Sequence, residues 1–167
     1  MILVLRLLHI LSGAFWYGAV IFTARFLMPS LKAAGPAAGP VMAQLNQRRL
    51  SQALMGAAIV NVVSGGALMW VLSGGHMGAW MQLTSSKTFA TGGTLAILAL
   101  IIGMVMNPPA VKRMAAIAAG AAKRGGPPTP EEVAELDRLQ ARMRTGTIIV
   151  ATLLTLAVAA MAVARYT

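Results

Sequence analysis

Cysteine is absent from this chain and acid nearly so. Without a thiol it can form no disulfide, thiolate metal centre, iron–sulfur cluster or cysteine nucleophile. The four acids, Glu131, Glu132, Glu135 and Asp137, all lie in one short stretch. That stretch reads as the first turns of a helix, where carboxylates complement the dipole. No paired-carboxylate site, Ser-His-Asp set, phosphate-cradling glycine loop or His-Glu-x-x-His motif is present. Any metal or haem ligand must come from His9, His76, a methionine, a lysine or those four acids. Charge is sparse altogether, at 11% of residues against about 25% in a soluble domain.

What fills the space is apolar. Hydrophobic residues make up 57% of the 167, and the mean hydropathy is +0.73. Four runs are long enough to cross a hydrocarbon core, which takes roughly 20 helical residues. They are residues 3–28, 53–73, 88–107 and 146–164. Lipid offers the backbone no hydrogen-bond partner, and the runs are too uniform for alternating barrel strands, so they are read as helices. The first has no small-x-small cleavage site before Thr23-Ala24-Arg25 and is read as a retained helix rather than a secretory signal. The fold class expected is all-α: a polytopic membrane four-helix bundle forming a single transmembrane domain over residues 1–167, with no room for a separate soluble enzyme domain.

The net charge of +10 is explained by its placement. Lys32, Arg48 and Arg49 lie between helices 1 and 2, with Arg25 at the same edge. Lys112, Arg113, Lys123, Arg124, Arg138, Arg142 and Arg144 lie between helices 3 and 4. Only Arg6, Lys87 and Arg165 belong to the opposite side. This asymmetry puts the basic loops in the cytoplasm and both termini outside. The expected location is the bacterial inner (cytoplasmic) membrane. The expected partners are anionic lipid headgroups, and a second copy or a membrane complex, but no nucleic acid.

Helix 1 is expected to end in a loop at Pro29, Pro36 and Pro40 with Gly35 and Gly39, and VMAQLNQRRLSQ to form a short interfacial helix. A cytoplasmic helical hairpin is expected over about residues 108–145. Helix 3 continues past Pro108-Pro109 to about Ala122, and RGGPP is the linker. A new helix then opens with Thr129 as N-cap and Pro130 at its first position, running unbroken into helix 4. Small residues along helix 2 allow close packing, and Asn61 near its middle should hydrogen-bond across an interface.

His9 lies about one and a half turns inside helix 1, with Gly13 and Trp16 on its face at i+4 and i+7. An imidazole with a glycine one turn away suits a flat macrocycle; the bland alternative is a structural hydrogen bonder. Arg25 falls roughly 24 Å further along the helix and cannot share that site. Lys87 opens helix 3 on the same outer side, either as a snorkelling anchor or as a cation aimed at a carboxylate near His9. His76, Met77 and Met81 in the outer loop combine imidazole and thioether, a set suited to Cu(I). Trp70 and Trp80 read as interfacial belt residues.

The stretch LLHILSGAFWYGAVIFTARF, followed by RRLSQALMG and SSKTFATGG, resembles the membrane-bound protoporphyrinogen oxidases of haem biosynthesis. The likeness runs from about residue 5 to 113. It extends to the membrane domain of copper-resistance proteins and to uncharacterised bacterial four-helix integral membrane proteins. In the oxidase family a first-helix histidine and a helix-3 lysine are important and haem b is bound; here the matching residues are His9 and Lys87. The family has a second histidine after the helix-1 arginine and others near the end of helix 3, where this chain reads RFLMPS and GMVMNPPAVKR. The expected function is thus an outward-side pocket between helices 1 and 3 holding haem b or a related tetrapyrrole in a redox role. His9, Gly13, Trp16 and Lys87 would form it. The alternatives are copper handling by His9, His76, Met77 and Met81, and a scaffold protein without a cofactor.

Overall fold

The computed structural model describes the backbone of residues 1–167 and every side chain except that of Pro36. Helix α1 (Ile2–Phe22) passes through a π turn at Thr23–Leu27 into α2 (Met28–Ala34), so Ile2–Ala34 is one apolar rod. The expected break at Pro29 does not occur. Pro29 follows the π turn, whose Met28 N–H already bonds to the Thr23 carbonyl five residues back, so the missing proline N–H falls where the ordinary ladder is interrupted. The rod ends at Gly35, which has φ +55°. Pro40 sits in the first turn of α3 (Ala38–Gln47), where backbone donors lack intrahelical partners in any case.

Arg49, at φ +57°, separates α3 from α4 (Leu50–Leu72). A tight turn follows, with Gly74 and Gly75 at φ +58° and +80°, and leads to α5 (Met77–Trp80). Then come α6 (Thr84–Arg124) and α7 (Pro130–Val163), closed by a 3-10 turn at Ala164–Tyr166. Four helices, the Ile2–Ala34 rod, α4, α6 and α7 with its closing turn, are long and apolar enough to cross a membrane. Only 11% to 33% of each apolar window is buried inside the protein. Side chains such as Ile10, Leu11 and Val63, each more than 60% exposed, therefore need a hydrocarbon solvent.

Two pairings organise the chain. The α6–α7 hairpin is the most extensive interface, and α1 lies along α4. Small residues bring α6 and α7 together: a β-carbon on Gly92 would lie 3.1 Å from the Ala157 carbonyl oxygen, and one on Gly146 3.1 Å from Met106 Sδ. Ala96, Ala99, Ala151 and Ala157 are buried along the same seam. Trp16 and Val20 of α1 join Ala58, Val150 and Leu154 in the core. Tyr17 Oη and Thr155 Oγ1, 3.3 Å apart, link α1 to α7.

Helix α6 runs straight through Pro108 and Pro109. Pro109 cannot donate to the carbonyl of Val105, four residues back. The Arg142 guanidinium on α7 donates to that oxygen at 3.4 Å instead. Beyond this point surface ion pairs bridge the two helices beside a seam in which Ala110, Ile117 and Ala121 are buried. Arg113 donates to both oxygens of Glu135 at 2.7 and 2.9 Å, and Arg124 pairs with Glu132. Thr129 is the N-cap that the sequence anticipates, and Glu132 returns the bond by accepting from the Thr129 N–H. The Arg113 hydrogen bond holds the Glu135 carboxyl below the ordinary carboxylate range. The Thr129 N–H, followed by Arg124, does the same for Glu132.

Candidate functional site

His9 on α1 faces α4, the helix that runs antiparallel beside it. Its Nδ1 lies 2.9 Å from the backbone oxygen of Asn61. A carbonyl can only accept, so Nδ1 carries the proton, and in the neutral ring Nε2 holds the lone pair. Asn61 replies: its Nδ2 donates to the His9 carbonyl at 2.8 Å. The 3.3 Å approach of Nδ2 to Nδ1 then places two donors side by side and is not a further bond.

Two glycines make this exchange geometrically available. In a helix the residue at i+4 covers the carbonyl of residue i. Four residues after Asn61 comes Gly65, where a β-carbon would lie 2.8 Å from His9 Cε1. Four residues after His9 comes Gly13, where a β-carbon would lie 2.6 Å from Asn61 Nδ2. Each polar side chain thus crosses the partner helix over a glycine and reaches the carbonyl beneath. Asn61 is buried and His9 half-buried.

Nε2 of His9 has no hydrogen-bond partner among the described residues, yet it is not sealed in. His9 borders a cavity of about 700 Å³ bounded by α1, α4, α5, α6 and the end of α7. The walls are apolar, with Val62, Leu68, Met69, Phe89, Ile97 and Met161 among them. From Phe89 to Ile97 the α6 wall is roughly 12 Å deep at 1.5 Å per residue. Two exposed arginines border it, Arg6 and Arg165. Both lie at the end of the molecule that holds the two termini, where the Thr88 and Thr167 hydroxyls are 3.3 Å apart.

The structure separates residues that the sequence grouped. Gly13 lies beneath the Asn61 amide and makes room for that side chain, not for a ligand. Trp16 is 5% exposed and part of the core, away from the cavity wall. Lys87 lines a different, smaller cleft with Met81, Thr91 and Leu95. His76 is exposed ahead of α5 and borders neither space. Among the described residues no three His, Asp or Glu side chains converge. Sequence reasoning placed Asn61 at a helix interface but gave it no partner. It also passed over Gly65, Arg6 and Arg165. The signal was there: HILSG and NVVSG both read polar-x-x-x-Gly, and two of the three outer basic residues line this one cavity.

No family model, no curated protein and no solved structure matches the chain.

Proposed function

We propose that this is a multi-pass protein of the bacterial cytoplasmic membrane that holds a tetrapyrrole, haem b or a close relative, in the His9 cavity for a redox role. The four helices form a bundle with both termini outside, and the ion-paired hairpin of α6 and α7 faces the cytoplasm, as the eleven basic residues on that side favour. One observation carries the reading. The Nδ1 proton of His9 is donated to a backbone carbonyl, which fixes the tautomer and leaves Nε2 as the unpartnered nitrogen of a residue that borders a largely apolar cavity. Metal-binding imidazoles are oriented in this way by a partner on the other ring nitrogen.

The residues present fit such a group. The walls are largely apolar, and His9 is the one histidine bordering the space among the described residues. Met69 and Met161 border it too, and their thioethers would be the further iron-ligating groups this cavity offers in place of the histidines that the oxidase family has. Iron held by imidazole and thioether supplies a one-electron couple of raised potential. Arg6 and Arg165 replace Lys87 as the cations of the site.

The test is to purify the protein from cells supplied with a haem precursor and record a reduced-minus-oxidised spectrum. A Soret band that disappears in His9→Ala supports the proposal. A colourless wild-type protein, or a band unchanged in His9→Ala, removes it.

A further inference from the structure

We infer that Arg6 and Arg165 bind carboxylate groups of the molecule seated in the His9 cavity, so that the site selects a ligand with an apolar body and an anionic edge. The inference rests on the tetrapyrrole reading and adds to it the group that sets orientation and selectivity.

Arg6 and Arg165, both exposed, border the cavity, brought there from the two ends of the chain, by the second turn of α1 and the 3-10 turn after α7. Neither is in a salt bridge among the described residues. No acidic side chain can reach them. All four acids lie at residues 131–137, and helix continues from Asp137 toward Arg165, roughly 42 Å at 1.5 Å per residue. Arg165 does lie over the Tyr166 ring, 5.7 Å from its centroid, but that contact leaves its charge uncompensated.

Charge placement makes the pair more than a chance of the surface. This end carries three of the chain's fourteen Lys and Arg residues, and two of them border one cavity. The third, Lys87, lines the neighbouring cleft, which shares Ala90 and Thr94 with it. Arg6 precedes His9 by three residues, close to one turn, so a ligand on Nε2 has a guanidinium one turn nearer the rim on the same helix. Guanidinium forks match carboxylates bidentately. A planar ligand held by Nε2 and by two guanidiniums at the rim has one orientation: apolar edge inward, carboxylates outward.

The experiment uses the full chain in discs of phosphatidylcholine, which supplies no anionic headgroup lipid. Haem b and its dimethyl ester are titrated separately and binding is read from the Soret band. Wild type should bind haem b at least about tenfold more tightly than the ester. Arg6→Gln with Arg165→Gln should lower haem b affinity to that of the ester and leave ester binding unchanged. Equal binding of the two ligands by wild type overturns the inference and needs no variant to fold. So does a double variant that weakens both ligands alike. A Soret band that depends on His9 but not on the ester would leave the tetrapyrrole reading standing. Absence of any protein-dependent shift of the Soret band with either ligand would remove both.

Discussion

His9 and Asn61 are bonded to each other's backbone: His9 Nδ1 donates to the Asn61 carbonyl at 2.9 Å, and Asn61 Nδ2 donates to the His9 carbonyl at 2.8 Å. The exchange fixes the register of α1 on α4 and sets which ring nitrogen is free. Structure and candidate chemistry therefore depend on the same four residues, His9, Gly13, Asn61 and Gly65.

Gly65→Ala should displace the imidazole, because the new methyl would lie 2.8 Å from Cε1. A loss of about 1–3 kcal/mol in stability is expected, the usual range for overpacking, together with a weaker or shifted Soret band. Gly56→Ala on the same helix, with nothing within 4 Å of the added carbon and no part in the cavity wall, is the control and should leave the spectrum unchanged without lowering stability. Thermal unfolding in detergent and the haem spectrum measure both effects.

Gly13→Ala should also destabilise, since its methyl would meet Asn61 Nδ2 at 2.6 Å. Asn61→Ala alone should cost about 0.6 kcal/mol, up to about 1.7, as measured for hydrogen bonds between membrane helices. In the double variant the methyl at residue 13 has nothing to strike, so the two effects should be strongly non-additive. Additive losses in a double-mutant cycle would show that the clash is not with this amide.

Arg142→Leu should destabilise the α6–α7 hairpin by about 1 kcal/mol, the net value of an ordinary hydrogen bond, by uncovering the Val105 carbonyl. Pro109→Ala restores a backbone donor for that oxygen. In the Pro109→Ala background the Arg142 substitution should matter much less. Comparing the two losses by denaturant unfolding decides it.

Acid should loosen the polar end of the hairpin before the apolar helices. The Glu132 and Glu135 carboxyls titrate below the ordinary carboxylate range. A depressed folded-state value means that their contribution is fully present above the unfolded value and is lost as pH falls through the folded one. Hydrogen exchange over residues 112–140 should thus accelerate as pH falls through the ordinary carboxylate range and below it, once corrected for intrinsic rates, while residues 146–164 stay protected. These pairs are solvent-exposed, so high salt should mimic part of the effect.

Much of the helical layout was legible in the sequence because it follows from local chemistry. Thr129-Pro130-Glu131-Glu132 announces a helix start, and the structure has the cap and the unbroken helix that follows. The extension of α6 beyond Pro108-Pro109 was also readable, ending at Arg124 rather than near Ala122. Pro29 misled, because a proline after a π turn interrupts nothing, and π turns leave no compositional mark. The site was harder. Spacing on α1 placed Gly13 and Trp16 beside His9, yet one lies beneath Asn61 and the other in the core, since a helix face shows what is aligned but not what lies opposite.

Composition and hydrophobic run length alone determined that this chain is helical, apolar and long enough in four places to cross a membrane. Those properties depend on neighbours in sequence and on the solvent. Which residues surround the imidazole was decided only by the tertiary structure. The antiparallel contact of α1 with α4 is set by two glycines 52 residues apart in the chain. It brings Asn61 to His9, while the ends of α1 and α7 carry Arg6 and Arg165 to the same cavity and Lys87 lines another. Contacts of that separation leave no period in the sequence, because they arise from the shapes of two surfaces meeting rather than from the repeat of either one.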